Sequence, residues 1–221
     1  MDAILPAAGL ATRMRGIPKF LLPVDENYQS LLETHIYELI KICNNIFLPT
    51  RPDLVPVIKS LDINFDKLTI IGMETHTMSE TIIKTCTNSE SGSFMLVMPD
   101  TYFYGQKPYS LLNSETEICD LACWKIRDEQ RGKLGEISYE DDRVVDIVGK
   151  QPENGFEYAW GALTFSKKLL DYVDINDPHI GYAVKNALEM GQNVTLKKID
   201  GDYFDCGTPK EYVELLKRTL I

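Results

Sequence analysis

Two cations behind a loop of small residues stand at the head of this sequence. Residues 4–24, ILPAAGLATRMRGIPKFLLPV, pass from an apolar run through Ala7, Ala8, Gly9 and Ala11 to Arg13, and then to Lys19 behind Pro18. With so little side-chain bulk, the backbone N–H groups of such a loop can approach an anion and converge on it. Arg13 offers a planar fork of donors to phosphate oxygens, and Lys19 a compact charge. The chemistry that fits is polyphosphate binding. A carboxylate, Asp100, closes the apolar run 94–98. At the carboxyl end of a central strand it reaches the ligand crevice, although an aspartate there also serves as an ordinary turn former.

These groups need a sheet to hold them. Residues 3–5, 45–49, 67–72 and 94–98 read as buried strands of a mostly parallel sheet, with helices between them. Ser30 and Glu33 are spaced as a capping box ahead of Leu31, Leu32, Ile36, Leu39, Ile40 and Cys43 at helical intervals. Residues 53–61 form a further helix. Thr77 with Glu80 and Thr208 with Glu211 repeat the capping signal, opening helices near Met78 and Lys210. The positive end of the helix from Met78 points over the strand ends. From Glu117 three strand-like runs form a meander, with Asp141-Asp142 turning the last two. Residues 157–165 and 194–199 add strands, 166–173 a short helix, and Asp177-Pro178 cap a helix that Gly191 ends. His35 and His179 suit packing or surface roles.

The 221 residues fit one α/β domain, and 44% hydrophobic with 25% charged residues is ordinary for a globular chain. A net charge of −10 argues against polymeric nucleic acid and anionic membranes as partners, while a nucleotide needs only a local nest of donors. No stretch has the length of a signal peptide or a membrane span. Five scattered cysteines without zinc-like pairing read as reduced thiols in a cytoplasm.

The opening string resembles the sugar-1-phosphate nucleotidylyltransferases, whose signature runs roughly L-A-A-G-x-G-T-R-M and then P-K-x-L-x-P-V. The matching residues are Ala7, Ala8, Gly9, Thr12, Arg13, Met14, Pro18, Lys19, Leu21, Pro23 and Val24. Pro6 and Ala11 depart from it, Ala11 standing where the family has its second glycine. A second close match, Asp205-Cys206-Gly207-Thr208-Pro209, resembles the family's D-x-G-T-P. The resemblance implies a Rossmann-like three-layer α/β/α fold with a mixed, mostly parallel sheet, as one nucleotidyltransferase domain over 1–221.

It also implies roles. Nucleotide binding falls on Ala7, Ala8, Gly9 and Thr12, and on Thr77 and Ser79 in the segment matching the family's base-reading loop. Arg13 and Lys19 are the catalytic cations, while Asp100 and Asp205 carry Mg²⁺, or Mn²⁺, since oxygen-only ligation favours these over zinc. Lys150, Trp160 and Gly161 line the acceptor, Trp160 serving equally well as core. The family's sugar-binding glutamate falls on Gly149. Substrates are then a nucleoside triphosphate and a phosphorylated small molecule, in a monomer or homo-oligomer. Two rivals stand beside this reading: a nucleotide-sugar-dependent glycosyltransferase, which would usually show D-x-D where this chain has Asp100-Thr101-Tyr102, and a non-catalytic nucleotide-binding homologue.

Overall fold

The computed structural model describes residues 1–61, 63, 65–112, 115–149 and 155–220. In chain order the strands are β1 (Asp2–Ile4), β2 (Ile46–Thr50), β3 (Leu68–Gly72), β4 (Ser93–Val97), β5 (Thr101–Gly105), β6 (Cys119–Lys125), β7 (Glu136–Glu140), β8 (Arg143–Val148), β9 (Tyr158–Ser166), β10 (Val194–Lys198) and β11 (Gly201–Asp205). The helices are α1 (Leu31–Leu39), α2 (Val55–Ser60), α3 (Met78–Thr87), α4 (Gly181–Glu189) and α5 (Pro209–Thr219), with a 3-10 stretch at Lys167–Tyr172.

Among the described residues, nine strands form one sheet in the order β3-β2-β1-β4-β9-β6-β10-β8-β7. Side chains alternate across a strand, and β1 and β4 sort theirs into two separate cores. Ala3, Leu5, Met95 and Val97 pack with Leu32, Ile36 and Leu39 of α1 and Ile58 of α2. Ile4, Phe94 and Leu96 pack on the opposite face with Ile82 and Cys86 of α3 and Ala183, Val184 and Ala187 of α4. Two helical layers therefore cover one sheet. Each fully buried Leu, Ile or Phe in them contributes about 1.5–3 kcal/mol. α1 begins where expected because Ser30 and Glu33 close their box from both sides: Glu33 N donates to Ser30 Oγ at 3.2 Å and Ser30 N to Glu33 Oε2 at 2.8 Å.

Three expectations need correction. The sheet is mixed rather than mostly parallel in its pairing: β3, β2, β1 and β4 form a parallel block and β6 pairs parallel with β10, but β4–β9, β9–β6, β10–β8 and β8–β7 are antiparallel. The three runs after Glu117 do not form a meander. β7 and β8 are a hairpin turned at Asp141, whereas β6 lies between β9 and β10. Asp177 and Pro178 do not cap α4, which starts at Gly181, because the Pro178 carbonyl instead accepts from Met78 N at 3.3 Å and Thr77 Oγ1 donates to Ile175 O at 2.6 Å. The 175–178 segment is thereby fastened to the start of α3.

The expectation of strands omitted β5. It pairs antiparallel with β11 as a separate two-stranded ribbon, Thr101 opposite Asp205 and Phe103 opposite Tyr203. α5 closes over this ribbon through Leu215, packed with Phe204, Cys206, Val24 and Leu31. Among the described residues no helix is long and apolar enough to cross a membrane.

Candidate active site

The chain leaving β1 stays tied to its neighbour, Ala7 N donating to Pro49 O at 2.8 Å, and then turns sharply. Ala11 supplies the turn in the left-handed region, φ 49°, where glycine is preferred because it has no Cβ to clash. A 3-10 turn over Thr12–Met14 follows, and a second over Lys19–Leu21 opens behind extended Pro18. The departure from the family glycine therefore leaves the sharp turn in place.

A cavity of about 310 Å³ lies between this loop and the start of α3. Ala7, Ala8, Gly9 and Ala11 form one wall; Thr75, His76, Thr77 and Met78 form the other; Lys19 and Asp100 lie in its lining. Thr77 caps α3 by accepting from Glu80 N at 2.9 Å. With its hydroxyl also given to Ile175 O, what Thr77 offers a ligand is backbone. Glu80 reaches past the cap residue to accept from His76 N at 2.7 Å, which fixes the His76–Thr77 turn.

The two aspartates meet through the ribbon. Cys206 N donates to Asp100 O at 3.0 Å and Asp205 stands opposite Thr101, so Asp100, which follows the carboxyl end of β4 as expected, meets Asp205 at one end of the antiparallel β5/β11 ribbon. Both raise the thiol pKa of the buried Cys206 between them, on top of the larger effect of burial. Asp100 forms an ion pair with Lys19. A methyl placed on Gly207 would lie 3.1 Å from Asp205 Oδ1 and 3.2 Å from Arg13 Nη2, which puts the Arg13 guanidinium beside Asp205.

His35 anchors this corner from below. Fully buried on α1, it bonds Thr101 O at 2.8 Å through Nε2 and Tyr109 Oη at 2.6 Å through Nδ1. Burial lowers its pKa from 6.5 to about 4, the Thr101 carbonyl opposing. The neutral ring with its proton on Nε2 satisfies both bonds, donating to Thr101 and accepting from Tyr109. The residue before β5 proper is Asp100, so the histidine fixes the backbone that carries that carboxylate.

A second cavity, about 240 Å³, opens on the other side of Lys19 and Asp100. Arg13, Asp205, Lys133, Trp160, Gly161 and His179 line it. Trp160 lies over Gly135, where a methyl would come within 2.3 Å of its indole nitrogen, and that nitrogen is buried with no hydrogen-bond partner among the described residues. Gly161 is a glycine for a packing reason independent of any ligand: a methyl there would come within 2.4 Å of the Tyr203 ring. At Gly149 a methyl meets nothing within 4 Å.

Of the residues singled out by sequence, Ala7, Ala8, Gly9, Thr77, Lys19, Asp100, Arg13, Asp205, Trp160 and Gly161 line one or both cavities. Thr12 and Ser79 do not. Thr12 sits exposed beyond the Ala11 turn, and Ser79 is buried on the face of α3 that meets the core. Lys150 lies outside the described residues. Lys133 was missed, since it sits in a loop whose place over the sheet no local pattern announces; His179, read as a packing or surface residue, packs on Trp160 and Tyr182 and lines the second cavity.

Neither protein-family models nor curated proteins give a match to this sequence. Solved structures do match its fold. A UDP-glucose pyrophosphorylase complexed with UDP-glucose superposes with a TM-score of 0.80 at 16% identity, covering 98% of this chain and 97% of that one. The inositol-1-phosphate CTP transferase from T. maritima gives 0.79 at 18%, covering 98% and 95%. A putative glucose-1-phosphate thymidylyltransferase from Bacillus anthracis gives 0.80 at 17%, covering 99% and 94%. At these identities the likeness is one of fold alone: a mixed sheet between helices.

Proposed function

We propose that this chain, as a single domain, is a nucleotidylyltransferase: it couples a nucleoside triphosphate to a sugar-1-phosphate-like phosphomonoester and releases pyrophosphate. The observation that carries the reading is that two cavities on opposite sides of one ion pair share Lys19 and Asp100 in their linings. The first has the small-residue loop for a triphosphate. The second has the space for an acceptor. The structural neighbours named for UDP-glucose, CTP and thymidylyl chemistry support the same assignment.

In this reading an acceptor phosphate oxygen attacks the α-phosphorus in line while pyrophosphate leaves. Two anions must be held together, so the protein's work is positioning and charge neutralisation. Lys19 leaves Asp100 for the α-phosphate as charge grows there, and Arg13 holds the oxygens of the departing pyrophosphate. Ala7, Ala8 and Gly9 supply backbone to the triphosphate. The segment at Thr77 faces the base, and Trp160 and Gly161 face the acceptor. No general base is required, because a phosphomonoester is anionic near neutral pH.

Asp100 and Asp205 fit a hard divalent cation: two carboxylates on one ribbon end, both in the lining of one cavity. Mg²⁺, or Mn²⁺, held there would screen the phosphates from one another. The five cysteines are free and buried, in keeping with a cytoplasmic setting.

The test is pyrophosphate release from each nucleoside triphosphate with a panel of phosphomonoesters. Release that stops with chelator and returns with Mg²⁺ is expected. Transfer of a sugar from a nucleotide sugar, or nucleotide binding with no turnover, would replace this reading by one of its rivals.

A further inference from the structure

The acceptor cavity does not end at Trp160. A third cavity, about 540 Å³, continues from it and shares Gly135, Gly149, Trp160 and His179. At Gly149, which lines both cavities, a methyl would meet nothing within 4 Å. Beyond it the walls come from β8 and the first turns of α4, including Tyr182 and Lys185.

The charge of this groove runs against that of the chain. Acids outnumber bases 33 to 23 in the sequence, yet no carboxylate is among the described residues lining the third cavity, while Lys185 is. Lys133 lines the wall of the adjoining cavity. The described partner of Lys185 is Asp146 at 3.8 Å, a long pair with both side chains well exposed. α4 presents its positive end here without a side-chain cap. Away from Asp100 and Asp205 at the reacting end, two lysines and a helix N-terminus lie along one passage.

Resting on the proposed transferase reading, we propose that the acceptor is a phosphomonoester with a second anionic group, a carboxylate or a phosphate, at the end remote from the reacting phosphate. The reacting phosphate sits at Lys19 and Asp100, and the remote anion passes Trp160 to Lys185.

Three probes on one scaffold isolate that group: glucose 1-phosphate, glucuronic acid 1-phosphate and glucose 1,6-bisphosphate. Glycerol 3-phosphate against 3-phosphoglycerate repeats the comparison on a smaller one. Pyrophosphate release is measured for each with all common nucleoside triphosphates. On at least one scaffold the anionic member should have a KM at least tenfold lower than its neutral counterpart. The carboxylate and bisphosphate arms then tell which anion is preferred. Lys185→Gln, at an exposed side chain whose loss should leave the melting temperature unchanged, should remove most of that difference and leave the KM for triphosphate as it was. Equal KM values for neutral and anionic members, or a Lys185→Gln effect of the same size on both, would overturn the inference while leaving the transferase reading intact. Absence of pyrophosphate release with every pair would instead defeat the transferase reading, and this inference with it.

Discussion

The parallel block β3-β2-β1-β4 and the remainder of the molecule build their halves of the site by different means. In the block, the loops after β1, β3 and β4 reach the crevice directly, so residues close in sequence are close in space: Ala7 to Lys19 form a wall and a cation within one stretch. In the other half the wall is assembled from distant pieces. Asp100 meets Asp205 through an antiparallel ribbon, β9 is inserted between β4 and β6, and the 175–178 segment is fastened across to α3. In the proposed reading, the first arrangement holds the polyphosphate end of the site in a compact local motif, and the second assembles the acceptor end from segments distant in sequence.

The sharpest way to break this comparison is at Lys19, where the halves touch. Lys19→Ala should lower kcat roughly 10²- to 10³-fold, the scale for removing one donor to developing charge, with much smaller loss of triphosphate binding. Steady-state rates with parallel binding titrations measure it. Turnover at the parental rate would take the α-phosphate role away from Lys19.

His35 ties the ribbon to α1, and its response to pH measures how far the two halves depend on each other. The native pKa, about 4, lies below the 6.5 of the free side chain. Unfolded chain then binds a proton that native chain refuses. Its contribution is complete above about pH 6.5 and is lost as pH falls toward 4, roughly 3 kcal/mol in all. Urea unfolding of parent and His35→Gln across that range separates this loss from that of the carboxylates. Parallel curves for the two proteins would exclude His35 as the source.

Within the acceptor half, two glycines should behave oppositely. Gly161→Ala drives a methyl into the Tyr203 ring and should cost about 1–3 kcal/mol by overpacking. Gly149→Ala should leave stability nearly unchanged, since nothing lies within reach. Equal unfolding midpoints for the two variants would mean that the ring yields easily and that Gly161 is kept for some other reason.

The smallest effect belongs to the loop after β1. Ala11→Gly relieves a left-handed alanine but adds freedom to the unfolded chain, so a net gain below about 1 kcal/mol is expected from denaturant unfolding.

Legibility followed the same division. Ser30 with Glu33 and Thr208 with Glu211 announced α1 and α5, because a cap is satisfied within four residues. The strands of the parallel block were readable as short apolar runs for the same local reason. β5 was not, since residues 101–105 acquire a partner only a hundred positions later, where Asp200 and β11 return. The cap assigned to Asp177 failed because a tertiary bond from Met78 had claimed the Pro178 carbonyl. Ser79 looked accessible in a segment read as a ligand loop, yet the helix phase that buries Ile82 and Cys86 buries it as well. Trp160, read evenly as stacking or core, lies in the lining of the second and third cavities.

The central claim is that the α-phosphate of a triphosphate and the intact phosphate of an acceptor are joined at Lys19 and Asp100. A double-label experiment addresses it most directly, with ³²P in the α-position of the triphosphate and ³³P in the acceptor. Both labels should leave in one diphosphate-bridged product, in equal amounts, with unlabelled pyrophosphate alongside and with neither label transferred by Lys19→Ala at the parental rate. Recovery of ³³P as free phosphate, or of ³²P as nucleoside monophosphate while the acceptor remains unchanged, would contradict it.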